Sequence, residues 1–296
     1  MEFAVVATVL ALVSGLLIPV LLDGVERKLK ATLQSRIGPP IVQTFYDILK
    51  LLDKEYKPLH TESYIIYILL SFLLVSITSL ALSLLYSLTG YTLYIIYAST
   101  LFALSTALFV SIPLLVPNPF SQIGAWREIM IALLNEVAFL LSIALSIVTL
   151  ETGLYWPPDL SVLGAILVLL MLFISGYIAT GRPPFDIAEA EPELASGVFV
   201  EFSGPMLALN AYSLLLKRLV VKVIIASLLV SLLKTSNPLI SLALVYLLVL
   251  VTWIVFTVVS VLLGRTRVDV GFSTLAKIYI PLIASIITVL LVDAYV

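Results

Sequence analysis

The sequence predicts an all-α, polytopic membrane protein with about eight transmembrane helices. Of its 296 residues, 61% are hydrophobic and only 11% are charged, against about 25% charged in a typical soluble domain. Apolar runs of about twenty residues recur along the whole chain, and each is long enough to cross a bilayer. The longest polar stretch, Asp23–Ser63, is too short for a separate soluble domain. We therefore expect a single membrane domain over residues 1–296.

Eight apolar segments are the predicted spans. Their bounds are about 3–22, 64–87, 93–116, 128–150, 161–179, 203–233, 239–263 and 272–292. The first segment has no basic n-region and no small-residue cleavage site, so we expect a retained span rather than a signal peptide. The sixth carries Lys217, Arg218 and Lys222 midway, so two short spans are an alternative there.

Lysine and arginine placement predicts the orientation of the spans. With eight spans, the loops on one side hold twelve of these residues and the loops on the other side hold only Lys234. The positive-inside rule then places the basic and acidic loops in the cytoplasm and both termini outside the cell membrane. A ninth span would move Arg265, Arg267 and Lys277 outward and weaken this asymmetry, so eight is preferred.

Composition also bears on cofactors. The chain has no cysteine, and its single histidine is His60. It therefore offers no thiolate ligands for iron–sulfur clusters or zinc and no His-rich metal site. We expect no metal, cofactor or catalytic residue on this chain, and no nucleic-acid partner.

Residues 41–55, IVQTFYDILKLLDKE, predict an amphipathic helix in the first polar loop. At helical spacing one face carries Ile41, Phe45, Ile48, Leu49 and Leu52, and the other carries Gln43, Thr44, Asp47, Lys50 and Lys54. This pattern is typical of a helix in the membrane interface or against a partner subunit. A functional lid and a surface helix that seals the bundle are both open.

The fourth and sixth predicted spans carry charged residues. Glu136 lies eight residues beyond Glu128, about 12 Å deeper at ~1.5 Å per residue. An ionised group near the bilayer centre costs about 2.5–3.5 kcal/mol even on the lenient insertion scale, and such groups often mark ion routes. The two glutamates can line one polar channel; a hydrogen-bonded packing role for Glu136 is the alternative. Lys217, Arg218 and Lys222 need carboxylate partners or water, unless they snorkel to an interface.

Acidic residues concentrate in a predicted loop at residues 180–202. Five of the chain's eighteen acidic residues lie there within sixteen positions: Asp186, Glu189, Glu191, Glu193 and Glu201. Clustered carboxylates repel one another, which raises the pKa of at least one member. Such a cluster can respond to a nearby change of charge. The alternative is a solvated acidic loop that caps a helix beginning near Pro192.

Three segments resemble one known family. They are ERKLKATLQSRIGPP (26–40), GAWREIMIALLNEV (124–137) and RPPFDIAEAEPELASGVFVEFSGP (182–205). The family is the membrane subunit of respiratory complex I that adjoins the quinone site, and it includes the equivalent subunit of energy-converting membrane-bound [NiFe] hydrogenases. The third segment is similar to the family's Arg-x-Pro-Phe-Asp…Glu-x-Glu-x-Glu-Leu…Glu-Tyr pattern without a gap.

Two further segments resemble the hydrogenase-type branch of that family. VQTFYDILKLL (42–52) is similar to Leu-Gln-x-Tyr-x-Asp-Ile-x-Lys-Leu-Leu, and GPMLALNAY (204–212) to Gly-Pro-Tyr-Leu-Ala-Leu-x-Glu-Tyr. The chain departs from the pattern at Ala211, where Glu is usual, and at Val270 in GRTRVDV, where Gln is usual. These departures suggest a divergent member, such as a subunit of a related sulfur-reducing complex.

The resemblance implies a subunit that anchors a soluble, ferredoxin-fed redox arm and couples electron transfer to proton or sodium translocation. It implies hydrogenase-like large and small subunits, an iron–sulfur subunit and antiporter-like membrane subunits as partners, with iron–sulfur clusters and a [NiFe]-like site on those partners. The coupling residues would be Glu128, Glu136, Asp186, Glu189, Glu191, Glu193, Glu201, Lys217, Arg218 and Lys222. The docking or chamber residues would be Glu26, Arg27, Arg36, Lys50, Arg182, Arg265, Arg267 and Asp269.

Two other functions are weighed against this one. A stand-alone secondary transporter with acidic ion sites would purify without partners. A passive anchor would bind the redox arm without moving ions. The resemblance leaves open the electron acceptor (a proton, a sulfur compound or a quinone), the pumped ion and the stoichiometry of the complex.

Overall fold

Nine α-helices account for most of the chain that the structure describes. The computed structural model describes residues 2–55, 62–151, 158–187, 197–199, 202–233 and 237–295, and within these ranges it has no β-strand. One short 3₁₀ turn covers Gly197–Phe199. The helices are α1 Glu2–Leu33, α2 Gln43–Leu52, α3 Glu62–Thr89, α4 Thr92–Leu115, α5 Pro119–Glu151, α6 Pro158–Ala179, α7 Gly204–Leu232, α8 Pro238–Leu262 and α9 Val268–Tyr295. The all-α prediction is confirmed.

Six of these helices are long and apolar enough to cross a membrane, judged by length and composition over the described residues: α1, α3, α4, α5, α8 and α9. In α6 the apolar part among those residues, Leu163–Ala179, is shorter. In α7 three cations interrupt the apolar sequence. The sixth predicted span nevertheless forms one continuous helix, Gly204–Leu232, so the alternative of two short helices is wrong. The count of eight spans stays a prediction.

Helix α1 extends beyond its apolar segment. The predicted span ends at Leu22, but the helix continues to Leu33. Two ion pairs at i,i+4 spacing stabilise this extension: Arg27 Nε to Asp23 Oδ2 at 2.9 Å and Lys30 Nζ to Glu26 Oε1 at 2.9 Å. The extension therefore carries charged side chains on a rigid helix rather than on a loop.

Helix α7 is the most buried element. From Leu215 to Leu228 almost every side chain is buried, and α7 packs against α1 to α6 and α8. A helix that is apolar on all sides is typical of such a central position. Because α7 lies inside the bundle, its lysines and arginine meet protein groups rather than lipid.

Helix α2 packs on α1 and α7 through the side that carries Thr44. Thr44 is buried, and its hydroxyl donates a hydrogen bond to Asp23 Oδ2 at 2.8 Å. Phe45, Leu49 and Leu52 are each about 45% exposed. The apolar face of α2 therefore points away from the bundle. The buried Asp23 carboxylate holds the Thr44 hydroxyl inward, and the choice between a lid and a surface helix that seals the bundle stays a prediction.

Candidate functional site

A buried carboxylate, Glu26, is the centre of the first charge cluster. The residue is 2% exposed. It accepts a hydrogen bond from Trp253 Nε1 at 2.8 Å, forms an ion pair with Lys30 at 2.9 Å, and is paired with Arg182. Three donors around one carboxylate satisfy a buried charge that would otherwise be costly. We call Glu26, Arg182, Arg218, Lys222 and Trp253 the Glu26 cluster.

Trp253 of α8 also holds a cation of α7. Lys222 Nζ lies 3.8 Å from the centroid of the Trp253 ring, and Arg182 Cζ lies 5.5 Å from it. Such contacts between a cation and an indole face are attractive, and more so away from water. Lys222 is fully buried and donates a hydrogen bond to the Arg218 carbonyl at 3.0 Å. One indole therefore contacts a carboxylate through its N–H and two cations through its face.

The turn after α6 positions Arg182. Gly181 has φ +58°, a left-handed conformation that glycine adopts without strain. Arg218 Nε donates to the Thr180 carbonyl at 3.0 Å, and the Tyr177 hydroxyl donates to the Pro183 carbonyl. Burial lowers the pKa of Arg182 to about 10, although Glu26 opposes the shift. Arg182 is therefore still a cation at neutral pH.

The first acidic residue of the acidic loop, Asp186, is bound by the segment before α9. Asp186 Oδ2 is 2.7 Å from Arg265 Nε, and the Thr266 hydroxyl donates to the Pro184 carbonyl at 2.7 Å. Asp186 is buried, whereas Arg265 is half exposed. Glu189, Glu191, Glu193 and Glu201 lie outside the described residues. Asp186 and Arg265, predicted for different roles, therefore form one ion pair.

A second cluster lies among α4, α5 and α7. Lys217 Nζ is 3.9 Å from Glu128 Oε1 and 5.4 Å from the centroid of the Phe109 ring. Glu136 interacts electrostatically with both Lys217 and Glu128, and Thr106 is its hydrogen-bonding neighbour. We call Glu128, Glu136 and Lys217 the Glu128 cluster. Lys217 thus lies beside a carboxylate, while a channel lined by both glutamates stays a prediction.

Two consecutive residues of α7, Lys217 and Arg218, belong to different clusters. Lys217 pairs with Glu128 of α5, whereas Arg218 turns to the Thr180 carbonyl at the end of α6. This divergence follows from helix geometry, since neighbouring side chains are about 100° apart at 3.6 residues per turn. The Glu26 cluster and the Glu128 cluster are therefore built on the same rigid, buried element.

The residues predicted to dock a partner differ in their surroundings. Arg27 is bound within the chain, to Asp23 at 2.9 Å and to Asp47 at 2.8 Å. Arg36 is exposed and donates to the Gln34 side chain. Lys50, Arg265, Arg267 and Asp269 all have exposed side chains, whereas Glu26 and Arg182 are interior. Arg36, Lys50 and Arg267 therefore remain available for contacts between subunits.

Sequence reasoning missed Trp253, Asp23 and Thr44. Trp253 reaches Glu26 across 227 positions of sequence, and a tryptophan within an apolar span gives no sign of such a contact. Asp23 and Thr44 had a weak signal, because Asp23 follows the first apolar run directly. Among the described residues, no group of three or more His, Cys, Asp or Glu side chains is arranged to hold a metal ion.

These features define the class of protein: a polytopic helical membrane protein with ion pairs in its interior. The profile of the NADH dehydrogenase family matches residues 6–292. The chain belongs to this family, and the resemblance seen in its motifs is confirmed.

Relatives within the family come from several kinds of complex. The chain is 31% identical to hydrogenase-4 component C of Escherichia coli, over 88% of this chain and 84% of that protein. It is 31% identical to formate hydrogenlyase subunit 4 of the same organism, over 68% and 69%. It is 28% identical to a subunit of the NADH-quinone oxidoreductase of Bacteroides fragilis, over 64% and 58%.

A solved structure shares the fold. A chain of the membrane-bound sulfane sulfur reductase, an archaeal respiratory membrane complex, superposes with a TM-score of 0.75 over 97% of this chain and 99% of that one, at 20% identity. This likeness concerns the fold alone. With the family assignment, it identifies the chain as a membrane protein of the type found in complex I-like and hydrogenase-type assemblies.

Proposed function

We propose that this chain is the membrane anchor and coupling subunit of an ion-pumping oxidoreductase with several subunits. It links a soluble, ferredoxin-fed redox arm to the movement of protons or sodium ions across the cell membrane. Hydrogenase-like large and small subunits and an iron–sulfur subunit carry the redox centres, and antiporter-like subunits adjoin the chain in the membrane. The relatives in hydrogenase-type and quinone-reducing complexes support this proposal.

The placement of two charge clusters on one buried helix is the observation that carries the proposal. Arg218 and Lys222 belong to the Glu26 cluster, near the predicted cytoplasmic loops, and Lys217 pairs with Glu128 in the helix bundle. Charges buried in a membrane protein are costly and commonly mark ion or proton routes. A change of charge at the Glu26 cluster alters the field at the Glu128 cluster, because both clusters include buried groups and the effective dielectric constant inside a protein is lower than in water.

In this proposal the redox arm binds to exposed basic residues near α2 and in the segment before α9. Arg36, Lys50 and Arg267 are exposed and lie on the side predicted to be cytoplasmic. Guanidinium and ammonium groups form charge-assisted hydrogen bonds with acidic surfaces. In this proposal Arg27 has a different role, because its two internal ion pairs hold α2 against α1.

A substitution at Lys217 tests the coupling role. In Lys217→Gln, Glu128 loses its cationic partner, while the Glu26 cluster keeps its contacts. The assembled complex would be reconstituted in vesicles, with oxidation of the electron donor and ion uptake recorded together. We expect the number of ions moved per electron to fall by at least about half, since Glu128 then lies in the bundle without the cation that compensates its charge.

Lys277→Gln is the matched control, because Lys277 is an exposed cation on α9. It should leave the ratio of ions to electrons unchanged. A normal ratio in an assembled Lys217→Gln complex would favour the passive anchor instead. Ion movement by the purified chain alone, without partners or electron donor, would favour the secondary transporter.

A further inference from the structure

The segment before α9 binds the start of the acidic loop through two consecutive residues. Arg265 Nε pairs with Asp186 Oδ2 at 2.7 Å. The Thr266 backbone N–H and hydroxyl both donate to the Pro184 carbonyl, at 3.4 Å and 2.7 Å. The partners are 79 and 82 positions apart in the sequence, so these contacts tie the loop to a distant part of the chain.

The first turn of α9 adds a steric contact to these polar ones. A Cβ atom at Gly271 would lie 2.5 Å from Ile187 Cδ1 and 3.4 Å from Thr266 Oγ1. Gly271 is buried, and the absence of a side chain there lets Ile187 approach closely. A larger residue at this position would have to displace Ile187. We call residues 265–271 the clamp.

The clamped residues follow directly on Arg182 of the Glu26 cluster. The Phe185 backbone N–H donates to the Arg182 carbonyl at 2.8 Å, which closes a tight turn. The two residues between them, Pro183 and Pro184, have φ angles that their rings restrict. Little backbone freedom therefore remains between Arg182 and Asp186, and a displacement of one moves the other.

The Arg182 side chain depends on this backbone for its position. It is 1% exposed, and its Nη2 is paired with Glu26. Its Nε and Nη1 have no hydrogen-bond partner among the described residues, although a guanidinium group has five N–H donors. Its other contact is the face of Trp253, 5.5 Å from Cζ. With one ion pair and one ring contact, the guanidinium stays in place only if its backbone does.

We propose that the clamp holds Arg182 in the Glu26 cluster, and that Arg265 is a positioning residue that acts through Asp186. The Asp186 side chain is 8% exposed and that of Arg265 is 49% exposed, so a surface cation controls the placement of a buried one. Without Arg265, the Asp186 carboxylate would be buried without its counter-ion, and the loop would move to hydrate it. The importance of the clamp for coupling rests on the proposed function, whereas its geometry can be tested in the purified chain.

Fluorescence of Trp253 tests the proposal in the purified full chain. The chain has three tryptophans, so Trp126→Phe together with Trp156→Phe leaves Trp253 as the reporter of the Glu26 cluster. In this background, Arg265→Gln should shift the emission maximum to longer wavelength and raise quenching by acrylamide several-fold. The reason is that water reaches the indole when Arg182 withdraws from it.

Further variants distinguish positioning from a general loss of stability. Asp186→Asn combined with Arg265→Gln removes the uncompensated charge together with its cation, so the emission should return most of the way to that of the parent. Arg265→Lys keeps the cation and should also resemble the parent. Gly271→Leu displaces Ile187 without a change of charge and should shift the emission as Arg265→Gln does. Arg267→Gln is the matched control, because the Arg267 side chain is 83% exposed, and it should leave the emission unchanged.

The outcomes separate the clamp from the proposed function. An unchanged emission in Arg265→Gln would overturn the clamp, as would an emission shifted further in the double variant; where Arg265→Gln gives no folded protein, Gly271→Leu decides in the same way. In the assembled complex, Arg265→Gln should also lower the number of ions moved per electron, and Lys277→Gln should not. A shifted emission with a normal ratio would support the clamp and contradict a coupling role for the Glu26 cluster.

Discussion

At the scale of single residues, the indole of Trp253 performs two tasks that are chemically separable. Its N–H donates to Glu26, and its ring face contacts Lys222. Removing one partner from a buried charge network is strongly destabilising, because the remaining charge loses its compensation. Variants that remove one task and retain the other can therefore distinguish them.

Trp253→Phe keeps an aromatic face but removes the donor to Glu26. We expect a loss of about 1–3 kcal/mol, the usual cost of an unsatisfied buried acceptor, and hence a lower midpoint of thermal unfolding for the chain in detergent. Trp126→Phe is the control, since Trp126 is 59% exposed. An equal decrease of the unfolding midpoint in the two variants would contradict a special role for the Trp253 indole N–H.

Glu136→Gln tests the second cluster. The neutral amide cannot take up or release a proton, although it has nearly the same shape as the carboxyl group. We expect the complex to assemble and to move ions at well under half the rate, since an intramembrane glutamate on the ion route is needed in both protonation states. Ion uptake by vesicles and donor oxidation would be measured together. Unchanged uptake at normal electron transfer would assign Glu136 to packing.

At the scale of elements, a glycine sets the spacing between α1 and the segment that leads into α2. A Cβ atom at Gly24 would lie 1.7 Å from the Ile41 carbonyl oxygen, so the two backbones touch there. This approach places α2 so that Thr44 reaches Asp23 and Arg27 reaches Asp47. The close backbone contact is thus a condition for both polar contacts.

Gly24→Ala should displace the segment before α2. Because backbone atoms cannot yield as a flexible side chain can, we expect the Thr44–Asp23 hydrogen bond to break and residues 34–55 to become more sensitive to limited proteolysis. Gly15→Ala on the same helix is the control, since its Cβ would meet only side-chain atoms at 3.4 Å. Identical cleavage rates in the two variants would show that the spacing tolerates a methyl group.

Hydrophobic patterning predicted the helices well and the ion pairs poorly. Each of the eight predicted spans overlaps a helix, because a long apolar run has few other ways to satisfy its backbone in lipid. Helix ends were less predictable: α1 continues into charged sequence that i,i+4 ion pairs stabilise, and α5 begins at Pro119, ahead of the predicted span. The contact that holds α2 against the bundle could not be predicted from its own sequence, since it depends on Asp23 in another helix.

At the scale of the whole molecule, the candidate site brings together residues for which the sequence predicted different roles. Glu26 and Arg182 were predicted to dock a partner, and Lys222 to couple ions, yet all three meet at Trp253. The residue types were predictable, because buried charge is conspicuous in an apolar chain. Their pairing was not, since it depends on how α1, α6, α7 and α8 pack.

The remaining acidic residues support a prediction about the assembled complex. If the loop relays charge through coupled protonation, Glu193→Gln and Glu201→Gln should each uncouple electron transfer from pumping, with the double variant no worse than the stronger single one. A solvated cap predicts small effects on stability and none on coupling. Donor oxidation and ion movement would be recorded together for the three variants, and normal coupling in the double variant would contradict the relay.

The neighbouring positions of Lys217 and Arg218 have a mechanical consequence. A rigid helix cannot turn about its axis at one residue and stay still at the next, so a rotation of α7 that draws Lys217 toward Glu128 also moves Arg218 relative to the Thr180 carbonyl. The Lys217–Glu128 ion pair and the Arg218–Thr180 hydrogen bond therefore change together. By thermodynamic reciprocity, the free energy by which the Lys217–Glu128 ion pair favours or disfavours the hydrogen bond of Arg218 to Thr180 equals the free energy by which that hydrogen bond favours or disfavours the ion pair.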